Sequence, residues 1–110
     1  MTALSDALGE RLRPLLKTLP VVEKKMFGGL GFMLAGNMLI GTTAKGELLV
    51  RVDPDAVEAA LARRGAHLMH MGPRIMTGFI AVGPEGTADA AALKDWIAFA
   101  LPYVKALPPK

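Results

Sequence analysis

The stretch KKMFGGLGFMLAGNMLIG, Lys24 to Gly41, decides the fold: two lysines lead five glycines, and nearly everything else in it is apolar. Glycines beside lysines can cradle phosphate, so the nucleotide readings come first. A phosphate loop needs Gly, four residues, then Gly-Lys-Ser/Thr, and no Gly-Lys pair occurs anywhere in the chain. A dinucleotide turn needs Gly-x-Gly-x-x-Gly between a strand and a helix. Here Gly29 and Gly31 are followed by Leu34 at the third position, and the next element reads as a strand. Neither motif is present.

The glycines make better sense as punctuation in a β-meander. The runs GLGFML, NMLIGT and ELLVRV are short and apolar, separated by AGN and AKG, the pattern of antiparallel strands and tight turns. Two-residue turns centred on Gly36-Asn37 and Lys45-Gly46 would set Leu34 against Leu39, Phe32 against Gly41, Gly41 against Val50 and Thr43 against Leu48. That register gathers Leu30, Phe32, Leu34, Leu39, Leu48, Val50 and Val52 on one face, with Gly41 leaving room for the Phe32 ring. A slip of one residue would break the agreement between the hairpins.

The opposite face would carry Met33, Ala35, Met38, Ile40, Thr42 and Leu49, with Glu47 and Arg51 at its polar end. An antiparallel sheet with helices on one side normally turns a polar face to water. An apolar face rich in methionine suits adaptable contacts. Met33, Met38, Ile40 and Leu49 are therefore the candidate interface, for a partner protein or for a second copy in a homodimer. The alternative is that a helix of the same chain, such as the N-terminal one, covers this face.

Leu4, Leu8, Leu12, Leu15, Leu16 and Leu19 form a helical stripe over residues 3–19. Thr2 or Ser5 can cap it, and Pro14 should kink it or split off its last turn. The run PDAVEAALARR, 54–64, reads as a second helix with Asp53 as N-cap, Pro54 at its first position and Gly65 as its stop. A third helix begins near Thr87 and runs through Leu93, Trp96, Ile97, Ala100, Leu101 and Val104, with Pro102 bending or ending it. AHLMHM and TGFIAV flank GPRIM as two further strands. The order α-β-β-β-α-β-β-α offers few parallel crossovers and predicts a two-layer α+β domain on an antiparallel sheet. A length of 110 residues fits one domain over 1–110.

The absence of cysteine excludes disulfides, thiolate zinc sites and cysteine nucleophiles. The N-terminus carries charge from Asp6 onward, unlike a signal peptide. The longest uncharged run, Met26 to Ala44, is cut by Gly, Asn and Thr and makes a poor membrane span. A soluble cytoplasmic protein is expected. The 13 Lys and Arg against 10 Asp and Glu leave a net charge of +3, and the basic residues are scattered. Nucleic-acid binders concentrate theirs on one face, so no specific DNA binding by the isolated chain and no membrane association are expected.

Few residues assemble into chemistry. His67 and His70, three apart, could share a metal on a helix, but in a strand they point to opposite faces, and no third ligand is near. Asp53 and Asp55 flank a helix start and read as caps. Lys25, Arg51 and Arg74 could converge on an anion. The one serine, Ser5, has no nucleophile context. With no nucleophile, base and oxyanion donor together, no catalytic residue, metal or cofactor is assigned, and the chain does not read as an enzyme.

The element Met26-Phe27-Gly28-Gly29, then LLVRV, then Met76-x-Gly78 within GPRIMTGFIAV, then Trp96 within LKDWIAFAL, occur in that order between about Val22 and Leu107. The chain so read resembles the N-terminal domain of the TfoX/Sxy family, which includes bacterial regulators of natural competence. The resemblance implies an α+β fold like that of the secretion chaperones. It also implies a role in transcriptional activation, alongside the cyclic-AMP receptor protein in the best-studied members, with no enzymatic activity or cofactor. The expectation is a regulatory domain acting through protein contacts with the transcription machinery or a regulator. The alternative is a chaperone-like or small-ligand-binding module unrelated to transcription.

The scattered charge yields a first prediction. The purified protein should bind duplex DNA weakly and without sequence preference, in the roughly 10⁻⁴ to 10⁻⁶ M range of non-specific binding. A gel-shift titration at physiological salt checks it, and a sequence-selective complex tighter than micromolar would refute it.

Overall fold

A computed structural model of the chain describes residues 3–26, 28–71 and 73–110. Helix α1 (Ala3–Leu12) ends in a 3₁₀ turn, Arg13–Leu15, where Pro14 has no N–H to continue the ladder. Strands β1 (Val21–Met26), β2 (Gly29–Leu34), β3 (Asn37–Thr42) and β4 (Leu48–Arg51) follow. A 3₁₀ turn, Pro54–Ala56, leads into α2 (Val57–Leu61), then β5 (Ala66–Met71), β6 (Arg74–Val82) and α3 (Ala90–Ala106). The strands form one sheet in the order β1-β2-β3-β4-β6-β5, antiparallel throughout. The class is α+β, as the element order implies. No helix among the described residues is long and apolar enough to cross a membrane.

One face of the sheet carries the core. Phe32, Ile40, Val50 and Ile80 lie side by side across β2, β3, β4 and β6. They pack with Leu8 and Leu12 of α1, Ala60 of α2, and Leu93, Trp96, Ile97, Ala100 and Val104 of α3. Helix α1 lies against β2 and β3, α3 against β3 and β4, and α2 against β5 and β6. Leu30, Phe32, Leu34, Leu39, Leu48, Val50 and Val52, the inward set read from the sequence, all belong to this core.

The register that delivers them differs from the one expected. The first turn is Ala35-Gly36, since Leu34 pairs with Asn37. Both turn residues have positive φ, 53° and 84°, the requirement of a type I′ turn. Asn37 is drawn into β3 instead, and its Nδ2 donates to the Pro108 carbonyl at 2.9 Å. The second turn is a three-residue loop. Gly46 N–H donates to the Thr43 carbonyl and Thr43 N–H to the Glu47 carbonyl, both at 2.9 Å, with Gly46 left-handed at φ 81°. Phe32 therefore faces Ile40, and Gly41 faces Gly31 and Leu49, rather than Phe32 and Val50. Between the pairs Phe32–Ile40 and Met33–Met38, Leu39 is an extra residue, a β-bulge. The bulge keeps Leu39 in the core although Ile40 is there too.

Other differences have local causes. Strand β1 was not foreseen, because it is an edge strand with four of its six residues exposed and no apolar alternation. Ser5 lies within α1, where its Oγ shares a hydrogen bond with Thr42 Oγ1 at 2.7 Å; Thr2 lies outside the described residues. Asp53 caps as expected, accepting from the Asp55 amide at 2.9 Å. Helix α2 ends at Leu61, short of the expected 64. Helix α3 starts at Ala90, capped by Asp89, and runs through Pro102 to Ala106. Pro102 is exposed, so only the Ala98 carbonyl loses an amide partner.

Ala35 is the one non-glycine residue with positive φ among the described residues. An L side chain there costs roughly 1 to 2 kcal/mol, more than the extra chain entropy that glycine surrenders on folding. Ala35→Gly should therefore stabilise the protein by about 0.5–1 kcal/mol, read as a rise of about 3–6 °C in Tm for a domain of this size.

Candidate functional site

The second face of the sheet is where the sequence placed a contact surface. Its middle is a trough of small residues. Gly31 pairs with Gly41, Gly41 with Leu49, and Leu49 with Ala81. Methionine side chains occupy the trough. A Cβ on Gly31 would stand 2.6 Å from the Met26 sulfur and 3.1 Å from Met38 Cε. On Gly41 it would meet the Leu30 carbonyl oxygen and stand 2.8 Å from Met38 Cε. These two glycines are thus required by close approach, and the neighbour of Gly41 is Met38, not Phe32.

The four candidate interface residues do not share one environment. Ile40 lies in the main core with no exposure, because the bulge at Leu39 turns it toward the helices; it is not on the second face. Met38, at 6%, and Leu49, at 1%, sit on the second face but are buried within the single chain. Met33, paired with Met38, is half-buried. Thr42 also turns inward, accepting from the Leu30 amide at 2.9 Å. Both Met38 and Leu49 stand outside the core that the helices share.

The anion trio does not converge. Lys25 on β1 and Arg51 on β4 are three strands apart, roughly 14 Å at the usual spacing. Arg74 opens β6 at the tip of the β5–β6 hairpin. Arg51 has a different role. Its guanidinium lies 5.2 Å from the Phe79 ring centre and 6.0 Å from that of Tyr103, at cation–π distance. Arg63 does the same over Phe99 at 4.5 Å and Trp96 at 5.1 Å.

No group of three or more His, Cys, Asp or Glu among the described residues is placed to hold a metal ion. His67 instead bonds Glu47, Nε2 to Oε2, at 2.7 Å. This contact ties edge strand β5 to the start of β4 across β6. The hydrogen bond that the Glu47 carboxylate accepts raises the His67 pKa above the ordinary imidazole value, against a smaller opposing effect of burial.

The β5–β6 hairpin matches the two strands expected from AHLMHM and TGFIAV, but β6 begins at Arg74, so the connecting run GPRIM gives its last three residues to the strand. β6 has nine residues, but only Phe79–Val82 pair with β4. Arg74 and Ile75 pair with Met71 and His70 alone, at the far end of the ribbon. Ile75 is 53% exposed, flanked by exposed Arg74, Thr77 and His70. Its signal in the sequence is the apolar pair Ile75-Met76 running on past a turn, without a core position to receive both.

An antiparallel α+β domain with its helices on one face and such a ribbon beyond its sheet defines the structural class. The chain belongs to the TfoX N-terminal domain family, whose model matches residues 12–102. No curated protein and no solved structure matches it.

The burial of Met38 sets the next prediction. Met38→Glu places a carboxylate over Gly31 and Gly41, and should cost about 2–4 kcal/mol of monomer stability. Urea denaturation with light scattering checks this. Dissociation of an oligomer at unchanged stability would instead mean that the face is closed by a second copy.

Proposed function

We propose that this chain is a non-enzymatic, cytoplasmic regulatory domain that acts through protein contacts, with its partner in transcriptional control of the competence type. Membership of the TfoX N-terminal domain family supports the regulatory reading. The observation that carries the contact reading is the β5–β6 ribbon, which presents exposed Ile75 beside Arg74 and His70 beyond the body of the sheet. Large exposed apolar side chains are few among the described residues: Leu4, Val22 and Ile75. Leu4 packs near the β3–β4 loop at Gly46, and Val22 lies on edge strand β1. Ile75 alone sits on an element that reaches outward, in a basic setting suited to an acidic, partly apolar partner surface.

The test is affinity purification of tagged protein from the source organism, wild type against Ile75→Asp. An RNA polymerase subunit or a transcription factor should be retained by the wild type and lost with Ile75→Asp, while the two proteins melt alike by circular dichroism. Retention of the same partner by both would remove the ribbon as the contact. Loss of higher-mass species in light scattering would identify the partner as a second copy of the chain.

A further inference from the structure

A cavity of about 270 Å³ lies between the segment after α1, the β2–β3 turn and the last turns of α3, lined by Leu19, Pro20, Leu34, Ala35, Leu101, Val104 and Lys105. Its floor is apolar and buried: Leu34 is 9% exposed and Val104 1%. Its walls are fixed by two long-range bonds. The Lys110 amide donates to the Ala35 carbonyl at 2.8 Å, and Asn37 Nδ2 donates to the Pro108 carbonyl. Together they hold the segment after α3 against the turn, so the cavity exists before any ligand arrives, as small-molecule sites commonly do.

The lining carries charge of one sign. Lys105 is the charged residue of the lining, and no carboxylate lines the cavity among the described residues. Lys105 is exposed and forms no ion pair among the described residues, where the ion pairs are Arg13–Glu23 and His67–Glu47. The volume lies just under the roughly 300–1,000 Å³ of drug-sized sites, which favours one short unbranched chain over a ring system.

We infer that this cavity binds a small aliphatic carboxylate of medium chain length, its hydrocarbon tail against Leu34, Leu101 and Val104 and its carboxylate paired with Lys105. The site is independent of the Ile75 ribbon, so either proposal can fail without the other.

Isothermal titration calorimetry of the full chain with hexanoate, octanoate, octanol and octylamine tests this. Octanoate should bind saturably at one site. Each methylene from hexanoate to octanoate should tighten binding about three- to fourfold. Lys105→Gln should weaken octanoate about two- to fivefold, the range of an exposed ion pair, and leave octanol unchanged. Leu101→Trp should fill the cavity and abolish binding. In case that variant does not fold, nuclear Overhauser contacts from octanoate to the Leu19 and Leu101 methyl groups of the wild type locate the ligand directly. No saturable octanoate binding, equal binding of octanoate and octylamine, or contacts away from Leu19 and Leu101 would each overturn the inference.

Discussion

The insertion of Leu39 into β3, opposite the step from Phe32 to Met33, is the constraint on which the sheet depends. In an unbroken strand, Leu39 and Ile40 would point to opposite faces, and one would leave the core. The bulge lets both point inward and sends Met38 outward. Outward placement works only because Gly31 and Gly41 face each other beneath it and leave the depth for a methionine. The glycines of the Lys24–Gly41 stretch thus answer to packing between side chain and backbone. Two of the five, Gly31 and Gly41, line the trough, and Gly36 serves the turn.

The same insertion explains which parts of the fold were legible. Core membership was legible, because an apolar side chain with a buried neighbour two positions away has one face to choose, and that choice survives a change of turn. Turn register was not. Local preference sets glycine and asparagine at the turn, yet the structure puts Ala35 in left-handed backbone and draws Asn37 into β3. Its reward is a bond to Pro108, 71 residues away, a contact that no local rule contains. Ile40 followed the register, and so moved from the expected interface into the core. β1 stayed hidden for a different reason: a strand that buries almost nothing leaves no apolar period to read.

Edges and outer faces show how the domain limits unwanted association. A free strand edge invites pairing with other chains, and charge on that edge is a common defence. Strand β1 carries Glu23, Lys24 and Lys25 in succession, all exposed, and Arg13 of the turn after α1 neutralises Glu23. The opposite edge strand, β5, is tied back by His67 and Glu47. The second face, which looked like an open apolar surface in sequence, has its centre closed by its own methionines. The exposed Ile75 lies away from the middle of the sheet, on the ribbon that outruns β4. Sequence alone could not separate these cases, because the lengths of paired strands are set by partners distant in the chain.

The position of the Lys105 cavity follows from the same hairpin. Leu34 forms its floor, Ala35 its rim, and Asn37 the anchor for the segment beyond α3. Leu34 and Asn37 close the β2–β3 turn as a pair, one step from the Met33–Met38 pair. A ligand seated on Leu34 and Val104 thus presses on the strand end whose next residue faces the other side of the sheet. The β2–β3 hairpin joins the two faces with no loop between them. On one side of Leu34 stands the Ala35-Gly36 turn, and behind it the methionine-filled trough. Both are tightly filled: Gly36 lies against Lys110, and Gly41 against the Leu30 carbonyl and Met38. The rim of the cavity and the second face are for that reason built from one hairpin, with Met33 to Gly36 running from one to the other.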